Sequence, residues 1–437
     1  MARNVDFLII GGGVAGTSAA QTIRSLKPDS SIVILSSENY ELYSRILLTK
    51  YIRGEVTLEQ VFLKKADWYT QNKIELVKNV SAQKLDGASH TVVCSNGEVY
   101  QYGKLLISIG AKPIRLNVDG SDLANISYMW TMEDAERINN SLATARKGVI
   151  IGGGFIGLEF AECFKKKGIE VTIVDGSDCY WGNRLDRDSS QVLEKVLEAN
   201  GIRVFAGELV EKFLPKAGDP SKVGAVVTKS GREFECDVVG IGIGIKSDLG
   251  WLEGSGLKID HGIATNEYLE TNLPDVYAAG DCVQFFDVII QASHLVATWA
   301  NATIQGTVVG KTMVHSASPS AMSSGSSDSG QAGQKTIFEA VSAYTTSFFG
   351  ASVSFIGMTE HDFADEIIRR GSVQANKMAQ IFMKRYDKET RIIGAILVND
   401  FSEFVPITEA IKNRIDVSPN LQKLSDLNFD LHSFPIS

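Results

Sequence analysis

Glycines at one fixed spacing occur twice in this chain, and they are the residues with the clearest chemistry. Gly11, Gly13 and Gly16 follow the apolar run Val5-Asp6-Phe7-Leu8-Ile9-Ile10, and Gly152, Gly154 and Gly157 follow Gly148-Val149-Ile150-Ile151. The first glycine of such a set makes a tight turn, the second lets backbone approach a pyrophosphate, and the third lets helix pack on strand. Val14 and Ala15 in the first set, and Phe155 and Ile156 in the second, open a helix whose N–H groups and positive dipole end hold the anion. One match is weak. Two, each in strand-turn-helix context, imply two dinucleotides, one of which can reduce the other.

The acids at the strand ends carry the next signal. Asp175 closes the strand Glu170–Val174, roughly 20 residues past the second loop, where an acid hydrogen-bonds ribose hydroxyls. A 2′-phosphate about 4 Å away would meet like charge, costing on the order of a few kcal/mol at an effective dielectric near 20. The following Gly176-Ser177-Asp178 supplies no arginine for such a phosphate, so a dinucleotide without it is favoured, which for a nicotinamide coenzyme means NADH over NADPH. Arg184 and Arg187 lie a little beyond and are either solvated surface or cations within reach of a 2′-phosphate. Glu159, in the first turn of the second glycine helix, already complements the helix dipole without any further role.

These motifs need elements to position them, and 437 residues provide two or three domains. The apolar fraction of 44% and charged fraction of 22% are those of a globular protein. A net charge of −9 argues against nucleic acid as a partner. No apolar run approaches the roughly 18 residues of a membrane span. The first strand starts within a few residues of Met1, leaving no room for a signal peptide, so the expected location is cytoplasmic. Cys94, Cys163, Cys179, Cys236 and Cys282 form no C-x-x-C pair and no metal-ligand spacing. Five free thiols in a reducing compartment and no metal follow.

Along the chain, the first βαβ unit runs from Val5 to a strand at Ser31–Leu35 and the turn Ser36-Ser37-Glu38. Thr57-Leu58-Glu59-Gln60 has the form of a capping box. Strands are expected at 75–80, 91–94 and 104–109, before Gly110-Ala111-Lys112-Pro113 breaks the pattern. Helices are expected at 134–146 and 188–199. After Val238-Val239-Gly240-Ile241-Gly242 the chain returns to its first domain, which makes that domain discontinuous. The stretch from Ser316 to Gly333 is rich in Ser, Gly and Ala and reads as a flexible linker. Beyond it, Phe348-Phe349, 352–356, 380–384 and 391–398 read as strands and 407–414 as a helix.

The whole pattern resembles the two-dinucleotide-binding-domain flavoprotein reductases. Within them it is most similar to the branch of rubredoxin reductase, the ferredoxin reductases of oxygenase systems, apoptosis-inducing factor and the flavin half of NADH-dependent nitrite reductase. The resemblance implies an α/β fold with two Rossmann-like domains, the NAD domain inserted in the FAD domain, and a C-terminal α+β domain. It implies FAD-binding segments at 1–118 and 248–314, an NAD(P)H-binding segment at 119–247, a linker at 315–334 and an interface domain at 335–437.

By that resemblance FAD sits on Gly11, Gly13 and Gly16, with Ser36, Ser37 and Glu38 at the adenosine ribose and Val80 at the adenine. Tyr43-Ser44-Arg45-Ile46-Leu47-Leu48-Thr49-Lys50 is similar to the segment that lines the flavin, which implies contacts from Arg45 and Lys50; Ile46 stands where a proline is usual. Asn272-Leu273-Pro274-Asp275-Val276-Tyr277-Ala278-Ala279-Gly280-Asp281 resembles the late FAD motif, giving Gly280 and Asp281 the ribityl contact. Thr298-Trp299-Ala300-Asn301-Ala302 resembles the start of the helix under the flavin pyrimidine. Gly110, after the strand at 104–109, and Gly242, at the end of Val238-Val239-Gly240-Ile241-Gly242, join the binding set. Glu159 is implied to pair with Lys50, and these two are the candidate catalytic residues.

The stretch from Ser36 to Lys50 contains no cysteine. The dithiol of glutathione-reductase relatives is therefore missing, and electrons must pass from flavin directly to an acceptor. The resemblance makes that acceptor a small carrier protein such as rubredoxin or ferredoxin. Arg369-Arg370, Lys377 and Lys384-Arg385 are candidates for a basic docking patch. The alternatives are an NADH oxidase or diaphorase, and a redox-sensing interaction protein like apoptosis-inducing factor. A homodimer is left open.

Overall fold

The computed structural model describes residues 2–316 and 335–434. The expected linker thus lies, from residue 317 to 334, outside the described residues. The chain gathers into two compact units: Met1–Ser44 with Phe62–Lys112 and Lys246–Ser342, and Arg45–Val61 with Pro113–Ile245 and Ala343–Ser437.

The first unit is built on a sheet whose parallel strands run in the order Ile74–Val77, Ile32–Leu35, Arg3–Ile10, Val99–Ile107, with Val276–Ala278 beside the last. Register places Ile10 opposite both Leu35 and Ile107. Strands covered on both faces read as unbroken apolar runs, and Ile32–Leu35 is buried at all four positions. Val99–Ile107 also pairs antiparallel with Thr91–Cys94, which pairs with Ala82–Asp86.

Helices Val14–Leu26 and Trp299–His315 pack on each other through small residues. A Cβ on Gly306 would stand 2.2 Å from the Ala15 carbonyl oxygen, and one on Gly310 would stand 2.9 Å from that of Ala19. In the late motif, Asp275 accepts a 2.8 Å bond from Lys104, both side chains being nearly buried. This pair fixes the turn before Val276–Ala278, where Asp275 has φ 58°.

The second unit holds a five-stranded parallel sheet in the order Ile202–Ala206, Glu170–Asp175, Lys147–Ile151, Val238–Ile241, Ile126–Tyr128. Its central strands carry glycine where the helix Phe155–Lys166 lies against them. A Cβ on Gly148 would stand 2.5 Å from the Phe164 ring, and one on Gly240 would stand 2.6 Å from Phe160. A three-stranded antiparallel sheet, Val210–Lys216, Asp219–Thr228 and Glu233–Glu235, is appended. The C-terminal segment forms an antiparallel sheet in the order Ala343–Phe348, Ala351–Gly357, Glu389–Val398, Lys377–Tyr386, Glu366–Ser372, followed by the helix Phe404–Lys412.

Some local expectations shift. Phe348 ends its strand, whereas Phe349 (φ 48°) and Gly350 (φ 81°) make the hairpin turn, as the twist of a two-residue hairpin demands. At Thr57 the Gln60 side chain accepts from the Thr57 N–H at 2.8 Å, but the helix is only Leu58–Val61. The reciprocal capping box is instead Thr131 with Asp134, at the head of Met132–Leu142. Among the described residues no helix is long and apolar enough to cross a membrane.

Of the candidate docking cations Arg369, Lys377 and Arg385 are exposed, each beside an acidic side chain, whereas Arg370 is not. Arg370 is 4% exposed and donates to Glu403 and to the carbonyls of Leu424, Asp426 and Phe429, tying down the C-terminal tail. Arg369 pairs with Asp186, Arg385 with Glu366 and Lys377 with Asp400, while Lys384 donates to the Phe363 carbonyl.

Candidate functional site

Each glycine loop shows the division of labour its spacing predicts. Gly11 has φ 118°, and a Cβ there would stand 2.2 Å from the Ser108 carbonyl oxygen. A Cβ on Gly16 would stand 2.1 Å from the Gly11 carbonyl oxygen, so the third glycine seals the turn against the helix. Gly13 differs: it is exposed, and a Cβ there would meet nothing within 4 Å. The second loop repeats the first and third of these features, but its middle glycine, Gly154, is half-buried and a Cβ there would touch the Trp181 indole at 3.5 Å. Gly152 has φ 97° and its Cβ would stand 2.4 Å from the Gly242 carbonyl oxygen; that of Gly157 would stand 2.1 Å from the Gly152 carbonyl oxygen.

Both glycine helices begin without competition for their N–H groups. Gly13 caps Val14–Leu26 and Gly154 caps Phe155–Lys166, neither with a side-chain acceptor, and neither helix has an acid in its first turn; Glu159, expected there, is the fifth residue of its helix. Uncapped donors beside a glycine fit a pyrophosphate; Gly13 is open, and Gly154 carries no side chain and has only the Trp181 indole beside it.

The strand ends after each loop differ in chemistry. Ser36 and Asp175 occupy equivalent places, since Gly11 donates to the Leu35 carbonyl at 2.8 Å and Gly152 to that of Val174 at 2.9 Å. Ser36 lies by Gly12 and accepts from the Val80 N–H through its carbonyl at 2.9 Å, which brings Val80 to the first loop. Ser37 follows on the same turn, and Glu38 accepts from the Tyr43 hydroxyl at 2.6 Å. Asp175 is 6% exposed and is held by two backbone donors, Ser177 N–H on Oδ1 and Trp181 N–H on Oδ2, each at 2.9 Å.

The late motif joins the first loop. A Cβ on Gly280 (φ 85°) would stand 3.3 Å from that of Ala15, and the Gly280 N–H donates at 2.7 Å to Gln305, which is fully buried. The Ser247 hydroxyl bridges the carbonyls of Gly110, at 2.9 Å, and Asp281, at 3.3 Å. Half-buried Trp299 opens its helix, whose N-cap Thr298 accepts from the Asn301 N–H. Gln305 and Ser247 escape sequence reasoning because polar residues inside a helix or loop carry no spacing signal.

In the second unit, Arg45 donates to the Trp130 carbonyl and lies 4.9 Å from its ring centroid. Lys50 is exposed on Ile46–Ile52. No hydrogen bond or ion pair joins it to Glu159 among the described residues. Arg53 takes that side instead, bonding Glu162 at 3.0 Å and Glu55 at 2.9 Å. Helical spacing explains this: Thr49 and Arg53 share a face, and Thr49 accepts through its carbonyl from Cys163 at 3.7 Å, on the same helix as Glu159. Lys50, one residue on, points elsewhere. Burial pushes Glu159 up to about 7, with Arg53 opposing and Glu162 adding. Burial likewise raises Glu162, again against Arg53.

All five cysteines are free thiols. Burial pushes Cys94 up to about 11 and Cys163, Cys236 and Cys282 up to about 12. Each stays protonated near neutrality and is a poor nucleophile. Alkylation at pH 7.5 should therefore label chiefly Cys179 and leave NADH-to-ferricyanide turnover largely intact. Loss of most turnover, with flavin retained and the fold intact, would assign a thiol a redox role.

Comparison with known proteins agrees with this arrangement. The chain is 28% identical over 280 residues to nitrite reductase [NAD(P)H] of Bacillus subtilis, covering 64% of this chain and 34% of that protein. It thus spans about a third of that relative's length. It is 28% identical over 313 residues to rubredoxin-NAD(+) reductase of Pseudomonas putida, covering 71% of this chain and 80% of that one. Its fold superposes on a putidaredoxin reductase, solved in covalent complex with putidaredoxin, with a TM-score of 0.85 and 25% identity over 98% of both chains. Residues 5–306 match the family model described as pyridine nucleotide-disulphide oxidoreductase. With two glycine loops of this geometry on two parallel sheets and that match over most of its length, the chain belongs to the pyridine nucleotide-disulphide oxidoreductase family.

Proposed function

We propose that this protein is a cytoplasmic, FAD-dependent NADH oxidoreductase that delivers electrons to a small carrier protein such as rubredoxin or ferredoxin. One observation carries the reading: two separate loops each combine a middle glycine with an uncapped helix, one beside a serine and one beside a fixed carboxylate. The first loop, with Gly280 and Asp281, would hold FAD, and the second, with Asp175, NADH. FAD, when bound, accepts hydride from a reduced nicotinamide and releases electrons to an acceptor. The chain's part is to seat both pyrophosphates on helix N-termini and to read the ribose through Asp175. The absence of a cysteine between Ser36 and Lys50 supports direct delivery without a dithiol. The similarity to rubredoxin-NAD(+) reductase and to putidaredoxin reductase supports a small carrier.

The test is anaerobic mixing of the purified flavoprotein with NADH, followed by addition of rubredoxin or of a [2Fe–2S] ferredoxin. Bleaching of the flavin and then reduction of a carrier is the expected result. A protein that takes up no FAD, or whose flavin NADH does not reduce, refutes the reading. A flavin reduced slowly, with a persistent long-wavelength band and no carrier reduction, would instead fit a redox sensor.

Glu159 gives this reaction a pH signature. Below about 7 its carboxyl holds a proton, and above that it adds a negative charge beside Arg53 and Glu162. The rate of flavin reduction by NADH should show an inflection near 7 in the native protein. Glu159→Gln should flatten it, and an unchanged profile would remove Glu159 from the candidate catalytic set.

A further inference from the structure

We propose that the indole N–H of Trp181 donates a hydrogen bond to the pyrophosphate of the dinucleotide on the second glycine loop. The inference rests on the reading of that loop as a dinucleotide site and adds a ligand-binding side chain to it. Trp181 is 5% exposed, and its Nε1 stands 3.5 Å from where a Cβ on Gly154 would lie. Gly154 is the middle glycine of the loop and the N-cap of Phe155–Lys166, without a side-chain acceptor. The indole nitrogen can only donate. It has no hydrogen-bond partner among the described residues, although a tryptophan this deep normally finds one. The acceptor that the loop's own helix N-terminus would bring to Gly154 is a phosphate oxygen.

The indole is held in place, not merely nearby. Trp181 adopts φ 55°, a left-handed conformation that a bulky residue rarely takes. Its backbone N–H bonds Asp175 Oδ2 at 2.9 Å, which stabilises that turn. The edge of Phe155 meets its ring at 4.6 Å and 88°, and Phe355 lies 5.4 Å away. Phe355 is in turn stacked on Tyr344 at 5.3 Å and 3°. Backbone strain kept at a glycine loop and an aromatic cage around one donor are what a fixed ligand contact requires.

The experiment uses the flavin-loaded protein and ADP-ribose, which carries the pyrophosphate but no nicotinamide, with adenosine as the control. In indole 15N–1H spectra, the Trp181 resonance is identified by its loss in Trp181→Phe. On adding ADP-ribose to native protein this resonance should shift downfield and exchange more slowly, whereas adenosine should leave it in place. By calorimetry Trp181→Phe, which keeps the aromatic packing, should bind ADP-ribose roughly tenfold more weakly, as loss of a charge-assisted bond implies. An unmoved resonance in native protein that binds ADP-ribose overturns the assignment, and so does native affinity in Trp181→Phe. If native protein does not bind ADP-ribose at all, the reading of the loop itself falls and the Trp181 contact with it.

Discussion

Gly13→Ala protein is expected to fold normally and to purify with little or no flavin. The backbone at Gly13 has φ −72° and ψ −173°, which any residue adopts, and the added methyl meets nothing within 4 Å. The substitution therefore costs the folded chain almost nothing. Its whole effect falls on a group that must approach the backbone there. Forcing one methyl into a close contact costs about 1–3 kcal/mol, so FAD should bind roughly ten- to a hundredfold more weakly, and Gly13→Val should release it altogether.

Gly16→Ala is the contrasting case. Its methyl would lie 2.1 Å from the Gly11 carbonyl oxygen and 2.8 Å from the Ser108 hydroxyl, so backbone must move. That variant should lose both flavin and thermal stability. The flavin-to-protein absorbance ratio and the apoprotein Tm separate the two. If Gly13→Ala stays yellow with native FAD affinity, the first loop is not the FAD pyrophosphate site.

The loops were legible in the sequence because a pyrophosphate cradle imposes strict residue types at strict spacing, and the structure places Gly11, Gly16, Gly152 and Gly157 in close backbone contact as that spacing requires. The parallel strands were legible because burial on both faces leaves continuous apolar runs. What spacing could not show is which side chain meets which across long separations. Lys50 ends the segment read as flavin-lining and Arg53 follows it, and only the rotation of one short helix decides that Arg53 reaches Glu162 and Glu55. Arg370 reads as a surface cation until the tail from Leu424 to Phe429 is seen to wrap its guanidinium. Trp181 carries no motif at all; its position follows from a left-handed turn that Asp175 stabilises.

Asp175 should set coenzyme choice. The carboxylate is buried and cannot swing away, because Ser177 and Trp181 N–H groups hold its two oxygens. Each oxygen still has acceptor capacity for a ribose hydroxyl. A 2′-phosphate near 4 Å would meet a fixed negative charge, worth about 4 kcal/mol at an effective dielectric of 20. NADH should therefore exceed NADPH in kcat/KM by on the order of a hundredfold or more. Asp175→Asn removes the charge but sets an NH2 against one of the two N–H donors, Ser177 or Trp181, so it should shrink that ratio by about tenfold or more while loosening one bond of the turn. Asp175→Ser should also narrow the ratio, but the geometry adds a cost. A serine is too short to hold the turn up to Trp181, so the variant should bind both coenzymes worse. Steady-state kinetics with each coenzyme, together with ADP-ribose affinity, distinguishes lost repulsion from a loosened turn. A native preference for NADPH, or an Asn variant with an unchanged ratio, would show that the ribose is read elsewhere.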